Sequence, residues 1–168
     1  MLYMQHINPQ GGEREGSVAG EDLILEIAQT CVLMRTRLIS RVLTGIYDEE
    51  LRPFGINSPQ FALLVVIFEI EPATRAEIGR YHHQDRSSLT RNLKIIISEG
   101  WAEEIQDEAG GRGRPIVLTK AGKDLLRDAA PAWRVAQTKA KALLGKDGVI
   151  AVTDIANGIM NAQPKAER

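Results

Sequence analysis

The sequence predicts a mainly α-helical fold carrying one small β-hairpin, and three observations make that prediction. Apolar residues recur every three or four positions along most of the chain, the period of a helix with one buried stripe. Helix-start signals at Ser58-Pro59, at Thr74-Arg75-Ala76-Glu77 and at Asp85 each stand directly before such a stripe. Only Trp101-Ala102-Glu103-Glu104-Ile105 and Ile116-Val117-Leu118 read as strands. They flank a turn rich in glycine and arginine, Gly110-Gly111-Arg112-Gly113-Arg114-Pro115.

The bulk properties narrow the function. A length of 168 residues suits a single domain with appended helices, and 43% hydrophobic with 26% charged residues is enough to bury a core. Aromatic residues make up only 5%, too few for a platform that stacks single-stranded bases. The net charge is −1, so any contact with nucleic acid must come from a local patch. Cys31 is the single cysteine, which excludes an internal disulfide framework and fits a reducing compartment. There is no basic-then-apolar leader and no apolar run of bilayer length, so no membrane association and a cytoplasmic location are expected.

Residues 1–20 hold four glycines and no apolar period, and read as a flexible arm whose Leu2, Tyr3, Met4 and Ile7 can dock on a partner. A long helix is expected over residues 21–52, with Leu23, Ile27, Cys31, Met34, Leu38 and Val42 on one stripe and further apolar residues on its other faces. So broad a belt suggests burial on two sides, against its own domain and a partner. Ser58 as cap and Pro59 as first helical residue open the next helix, through Phe61, Leu64, Val65 and Phe68. Its LLVVIF run also fits a buried strand; the Ser-Pro start and Gln60 favour the helix, which Pro72 stops. The capping box at Thr74 and Glu77 predicts a short helix to about Tyr81, and His82-His83-Gln84 turns the chain into Asp85.

The stretch Asp85 to Trp101 separates into two faces on a helix. Leu89, Leu93, Ile96 and Ile97 form an apolar stripe, while Ser87, Arg91, Lys94 and Ser98 lie opposite with Ser88 and Thr90 beside them. Asp85 caps this helix, and Gly100 ends it in a left-handed turn. A short helix, a tight turn and a second helix with a cationic outer face make a helix-turn-helix, and the hairpin that follows is a wing. Thr119 caps a long helix towards Leu144, kinked at Pro131, and a last helix runs from about Asp147 to Met160. These C-terminal helices carry more apolar surface than a small winged domain covers, which points to dimerisation with the first long helix.

With the parts in this order, the chain resembles the MarR family of bacterial transcription regulators. The matching residues are Asp85-Arg86-Ser87-Ser88-Leu89-Thr90-Arg91, Glu99-Gly100-Trp101 and Val117-Leu118-Thr119-Lys120-Ala121-Gly122. The resemblance implies one MarR-like domain over residues 21–168, with dimerisation helices at 21–52 and 119–162 and a winged helix-turn-helix core at 58–122. It also implies a homodimer on a near-palindromic double-stranded DNA operator, with a recognition helix in each major groove and a wing on each minor groove. Such regulators are usually repressors released by a small molecule or by oxidation.

The wing departs from the family pattern. The family usually has an Asp two residues before the arginine that enters the minor groove; here that place is Gly110, before Arg112, with Asp107 and Glu108 nearby as substitutes. Arg112-Gly113-Arg114-Pro115 instead looks like the core of an AT-hook. Glycine lets backbone approach the groove floor, and narrow A·T grooves concentrate the negative potential that attracts arginine, so A·T-rich flanks are expected.

The chemistry of the side chains assigns the contacts. Arg91 is the candidate for a base edge, since its fork matches guanine O6 and N7. Ser87, Ser88 and Thr90 suit phosphates or secondary base contacts, and Arg86, Lys94 and Lys120 suit the DNA backbone. Ile95 either meets a thymine methyl or is simply an exposed apolar residue. By resemblance, an effector pocket lies between the dimerising helices and the winged core. Arg37, Arg41 and Phe61 would line it for a small anionic or aromatic molecule, unless the arginines are solvated or bridge subunits.

No nucleophile elbow, phosphate-binding glycine loop or repeated Cys/His pattern is present, so neither enzyme chemistry nor a cofactor is expected. Adjacent His82 and His83 point apart on a turn, a poor start for a metal site. Cys31 raises a redox-sensing alternative, because related regulators use a thiol on their first helix. It sits on an apolar stripe, however, and aligning Tyr47 and Pro59-Gln60 with the peroxide sensors places their cysteine nearer Leu33. The other alternative is a winged-helix protein-interaction module that never touches DNA, for which Arg112 and Arg114 on a glycine hinge would serve no purpose.

Overall fold

Each capping signal in the sequence marks a helix start in the computed structural model, which describes the backbone of residues 13–106 and 113–162 and side chains from residue 20 onward. The elements run α1 (Glu13–Thr30), α2 (Val32–Leu51), a 3-10 turn (Arg52–Phe54), α3 (Ser58–Ile70), α4 (Arg75–Tyr81), α5 (Arg86–Ser98), β1 (Ala102–Glu104), β2 (Ile116–Leu118) and α6 (Lys120–Asn161). This is the expected class: mainly helical, with a winged helix-turn-helix from α3 to the start of α6.

The order of burial explains why α3 is central. Its LLVVIF run is apolar around most of the helix; Leu63, Leu64 and Ile67 are fully buried, while Val65 and Phe68 are exposed. It packs on α4, α5, β2 and α6. Leu51 at the end of α2, Ile78 of α4, Leu93 and Ile96 of α5 and Ile116 of β2 complete the largest fully buried side chains. The sheet is a two-stranded antiparallel pair with Ala102 opposite Leu118, Glu103 opposite Val117 and Glu104 opposite Ile116. Ala73, just before α4, exchanges both backbone hydrogen bonds with Ile116, at 2.8 and 3.3 Å. The base of the hairpin is therefore sewn into the core.

Several boundaries differ from the sequence reading. Helix begins at Glu13 and not near Glu21, so residues 13–20 belong to α1; residues 1–12 lie outside the described chain. Gly16 and Gly20 each lower helix propensity by about 1 kcal/mol, but unlike proline they do not clash with helical backbone. The first long helix is assigned as two, with Cys31 between them. Hydrogen bonds from Cys31 N–H to Ile27 and from Arg35 N–H to the Cys31 carbonyl carry the ladder across that residue. The cap of α3 is Asn57, one residue before Ser58. Its side chain accepts from Gln60 N–H at 2.9 Å while the Gln60 side chain accepts from Asn57 N–H at 3.1 Å, and Pro59 takes the second helical position. In α6 the backbone stays helical through Pro131, where a kink is expected. The break falls at Gly145, with φ +67° and ψ 171°, in the gap the sequence leaves between Leu144 and Asp147. Proline's own φ is helical, whereas a residue at +67° cannot continue the spiral.

The chain divides within α2 into two units, residues 1–42 and 43–168. In the first unit the helical residues from 20 onward are almost all exposed, among them Ile24 at 65%, Val32 at 74% and Leu38 at 54%. In the second, the end of α2 is bound to α6: Lys139 pairs with Glu50 at 2.5 Å, and the Tyr47 hydroxyl donates to the Gln137 side chain. Beyond Gly145, Ile150, Ile155 and Ile159 of α6 are exposed. No single helix among the described residues is long and apolar enough to cross a membrane.

Candidate DNA interface

The helix-turn-helix is built from local signals. Thr74 accepts from Glu77 N–H and the Glu77 carboxylate accepts from Thr74 N–H at 2.7 Å, closing the box that starts α4. The bond from Thr74 N–H first, and then one from the Thr74 hydroxyl to the same carboxylate oxygen, hold the Glu77 carboxyl below its usual range. His82, His83 and Gln84 make the turn, with His83 at φ +49°. His82 is half-buried, and that burial, with the charge of His83 second, holds its pKa below the usual histidine value. Asp85 then accepts from Ser88 N–H at 2.9 Å and starts α5; this bond, first among several, lowers its pKa. At the other end Trp101 N–H reaches the Ile96 carbonyl and Gly100 N–H reaches Ile97, with Gly100 at φ +73°. Those two bonds close a left-handed helix stop that glycine accepts without strain.

Between these caps α5 carries the two expected faces. Leu89 and Ile96 are buried at 4% and 0% exposure with Leu93 between them, and Ile97 is half-buried. Arg86, Ser87, Thr90, Arg91, Lys94 and Ser98 are exposed; Ser88 and Ile95 are half-buried. Thr90 already donates its hydroxyl proton to the Arg86 carbonyl at 2.7 Å, and Ser98 to Ile95 at 2.8 Å. Arg86, Arg91 and Lys94 have no ion-pair partner among the described residues. Lys120 differs, since it pairs with Asp124 at 2.6 Å.

The wing is only partly within the described residues. Arg112, Asp107, Glu108 and Gly110 fall outside them; Arg114 is inside, with a side chain 77% exposed. Its guanidinium lies 3.9 Å from Glu104 on β1. The same carboxylate receives two hydrogen bonds from Arg75, at 2.6 and 3.2 Å. Sequence reasoning missed Arg75 as more than a member of the capping box. Its partner is on another element, and no periodicity connects the two. Arg75, Lys94, Ser98, Glu104 and Thr119 also line one open cleft of about 570 Å³ beside the last turn of α5.

Two stretches that look unrelated in sequence lock together here. Thr119 N–H donates to the Trp101 carbonyl at 3.1 Å, and its hydroxyl donates to the Gly100 carbonyl at 2.6 Å. The Thr119 hydroxyl also accepts from Gly122 N–H, capping α6. A Cβ on Gly122 would stand 2.0 Å from the Trp101 carbonyl oxygen, so only glycine permits this approach. Glu71 adds a further tie, accepting from Leu118 N–H at 2.6 Å and pairing with Lys123 at 2.8 Å. The end of α5, the wing base and the first turn of α6 thus form one rigid joint.

The remaining candidates belong to different units of the chain. Arg37 and Arg41 are exposed on α2 in the first unit, and Phe61 is a core residue of the second at 9% exposure. Cys31 is half-buried between α1 and α2. Among the described residues no group of three or more His, Cys, Asp or Glu side chains gathers as metal ligands do.

No protein-family model matches the sequence. The chain is 33% identical over 81 residues to the HTH-type transcriptional regulator YwoH of Bacillus subtilis, an alignment covering 48% of this chain and 58% of that protein. It is 30% identical over 77 residues to the multiple antibiotic resistance protein MarR of Escherichia coli, so it spans little more than half the length of the curated relatives it matches. Among solved structures, the Mycobacterium tuberculosis transcriptional regulator MosR is 34% identical over 79% of this chain and 95% of that one, with a TM-score of 0.65. The same regulator crystallised with DNA superposes at 0.61 with 29% identity, over 79% of this chain and all of that one.

Proposed function

The chain belongs to the MarR family of transcription regulators, a family of regulators rather than enzymes, and from that membership we propose that it is a cytoplasmic homodimer that binds a near-palindromic double-stranded DNA operator. The observation that carries this reading is the outer face of α5. Arg86, Arg91 and Lys94 stand exposed and without ion-pair partners among the described residues, on a helix capped at both ends and anchored by buried Leu89, Leu93 and Ile96. Three cations held on a helix with no acid among the described residues to satisfy them are suited to phosphates and base edges. Arg91 reads a base; Ser87, Ser88 and Thr90 make secondary contacts; Arg86, Lys94 and Lys120 meet the backbone; and Arg112 and Arg114 enter the flanking minor groove. Thr90 acts there as an acceptor, its proton being already given to Arg86. The crystallised complex of MosR with DNA supports the same direction.

The dimer rests on apolar surface that a monomer leaves in water. Ile24, Val32, Leu33 and Leu38 in the first unit and Ile155 and Ile159 near the end of α6 are all more than half exposed. Burying such side chains against a second copy is worth about 25 cal/mol for each Å² removed from water. The sign of regulation is proposed as repression, released by a small anionic or aromatic molecule for which Arg37 and Arg41 supply the charge.

The test is selection of bound sequences from random duplex DNA, repeated at two salt concentrations. The expected result is a two-fold-related consensus whose affinity falls steeply with salt. Recovery of no preferred duplex would reject the reading.

A further inference from the structure

Glu104 stands on β1 with its carboxylate between two arginines from different parts of the chain. Oε1 accepts from Nε of Arg75 at 3.2 Å and from Nη2 at 2.6 Å. Oε2 faces Nη1 of Arg114 at 3.9 Å. Arg75 is the first residue of α4, so one arginine belongs to the helix-turn-helix, while Arg114 returns from the wing turn. The strand register brings them together: Glu104 pairs with Ile116, two residues after Arg114. The two bonds from Arg75 fix the carboxylate, which is only 26% exposed, and its second oxygen is left for the wing.

We propose that Glu104 is the positioning residue of the wing, anchored to α4 through Arg75 and aiming Arg114 at the DNA beside the α5 site. The inference rests on the DNA-binding reading above. The family's carboxylate would stand at Gly110, before Arg112; here a carboxylate on β1 faces a different arginine, Arg114. An arginine free to sample its many rotamers loses conformational entropy when it enters a narrow groove; one biased towards a fixed carboxylate loses less. A carboxylate close to DNA also repels phosphate. Glu104 therefore lowers total affinity while it raises the preference for the flank that Arg114 reads, and these two effects carry opposite signs.

The signs make the test. Full-length wild type, Glu104→Gln, Arg114→Ala and the double variant are titrated by fluorescence anisotropy on the selected duplex, once with A·T flanks and once with G·C flanks. The amide introduced by Glu104→Gln keeps a carbonyl oxygen to accept from Arg75, so the fold is preserved, and melting curves of all four proteins confirm it. Glu104→Gln is expected to reduce the A·T over G·C affinity ratio about threefold, the scale of one exposed ion pair. Affinity for the G·C-flanked duplex stays level or rises, and the Arg114→Ala background shows no further change in ratio. An unchanged ratio, equal losses on both duplexes, or a further fall in the Arg114→Ala background would each overturn the proposal. Should the wild type bind no duplex, the DNA reading fails and the flank role falls with it; a wild type that binds with a ratio insensitive to Glu104→Gln removes the positioning role alone.

Discussion

Arg91 is the residue on which base choice is expected to depend. It is exposed on α5, it has no ion-pair partner among the described residues, and buried Leu89 and Leu93 fix the helix beneath it. Arg91→Ala should lower affinity for the selected operator by about tenfold or more and relax the consensus at one position in each half-site. Lys94→Ala should instead weaken all duplexes alike and flatten the salt slope. His82 has a consequence for stability. Its folded pKa is depressed by burial, so its contribution to stability is complete above the unfolded value and is lost as pH falls through the folded one. Melting temperatures measured between about pH 7.5 and about pH 5 should fall for the wild type, and fall less for His82→Gln. Residue roles were legible where the cause is local. Asp85 and Thr74 are caps because their side chains reach backbone three residues on. The bond from Arg75 to Glu104 spans 29 residues, and no local rule announces it.

Among the elements, the joint between α5, the wing and α6 carries the most constraint in the fewest residues. Gly122→Ala would press a methyl group against the Trp101 carbonyl, where backbone and not a flexible side chain must yield. A loss of roughly 3 kcal/mol is expected, the upper end for overpacking, and chemical denaturation measures it. The helices of the winged core were readable from period and capping, since each signal acts within one turn of chain. The cap of α3 falls on Asn57 and not Ser58, since serine and asparagine cap almost equally well. At Pro131 the backbone dihedrals stay helical, as proline's own φ allows. The helical dihedrals break at Gly145, whose positive φ ends one helix before the next begins.

At the scale of the whole molecule the expectation is association by charge. A dimer presenting Arg86, Arg91, Lys94, Arg112 and Arg114 twice would neutralise about six to ten phosphates, giving a slope of roughly −5 to −9 in log affinity against log salt. The overall charge of −1 makes this a property of one face only. Dimerisation should make the melting temperature rise with protein concentration. Leu38→Glu, placed on the exposed apolar surface of α2, should shift the sedimenting species towards monomer. The order of parts was visible in the sequence because the winged core is built from consecutive elements with short connections. The division within α2 was not, since an apolar period runs unbroken across residues 38–42 and carries no mark of where contacts change.

The base of the hairpin has a consequence for how such a protein can diverge. Ile116 is wholly buried and bonded to Ala73, so the strands end in the core whatever lies between Gln106 and Gly113. Closing a loop between two fixed ends costs only about 0.6 kcal/mol more for each doubling of its length. The buried root therefore sets little limit on insertions at that point, whereas a single methyl at Gly122 forces backbone to move. The tip of the hairpin is open to added length, and the joint where its root meets α6 admits almost none.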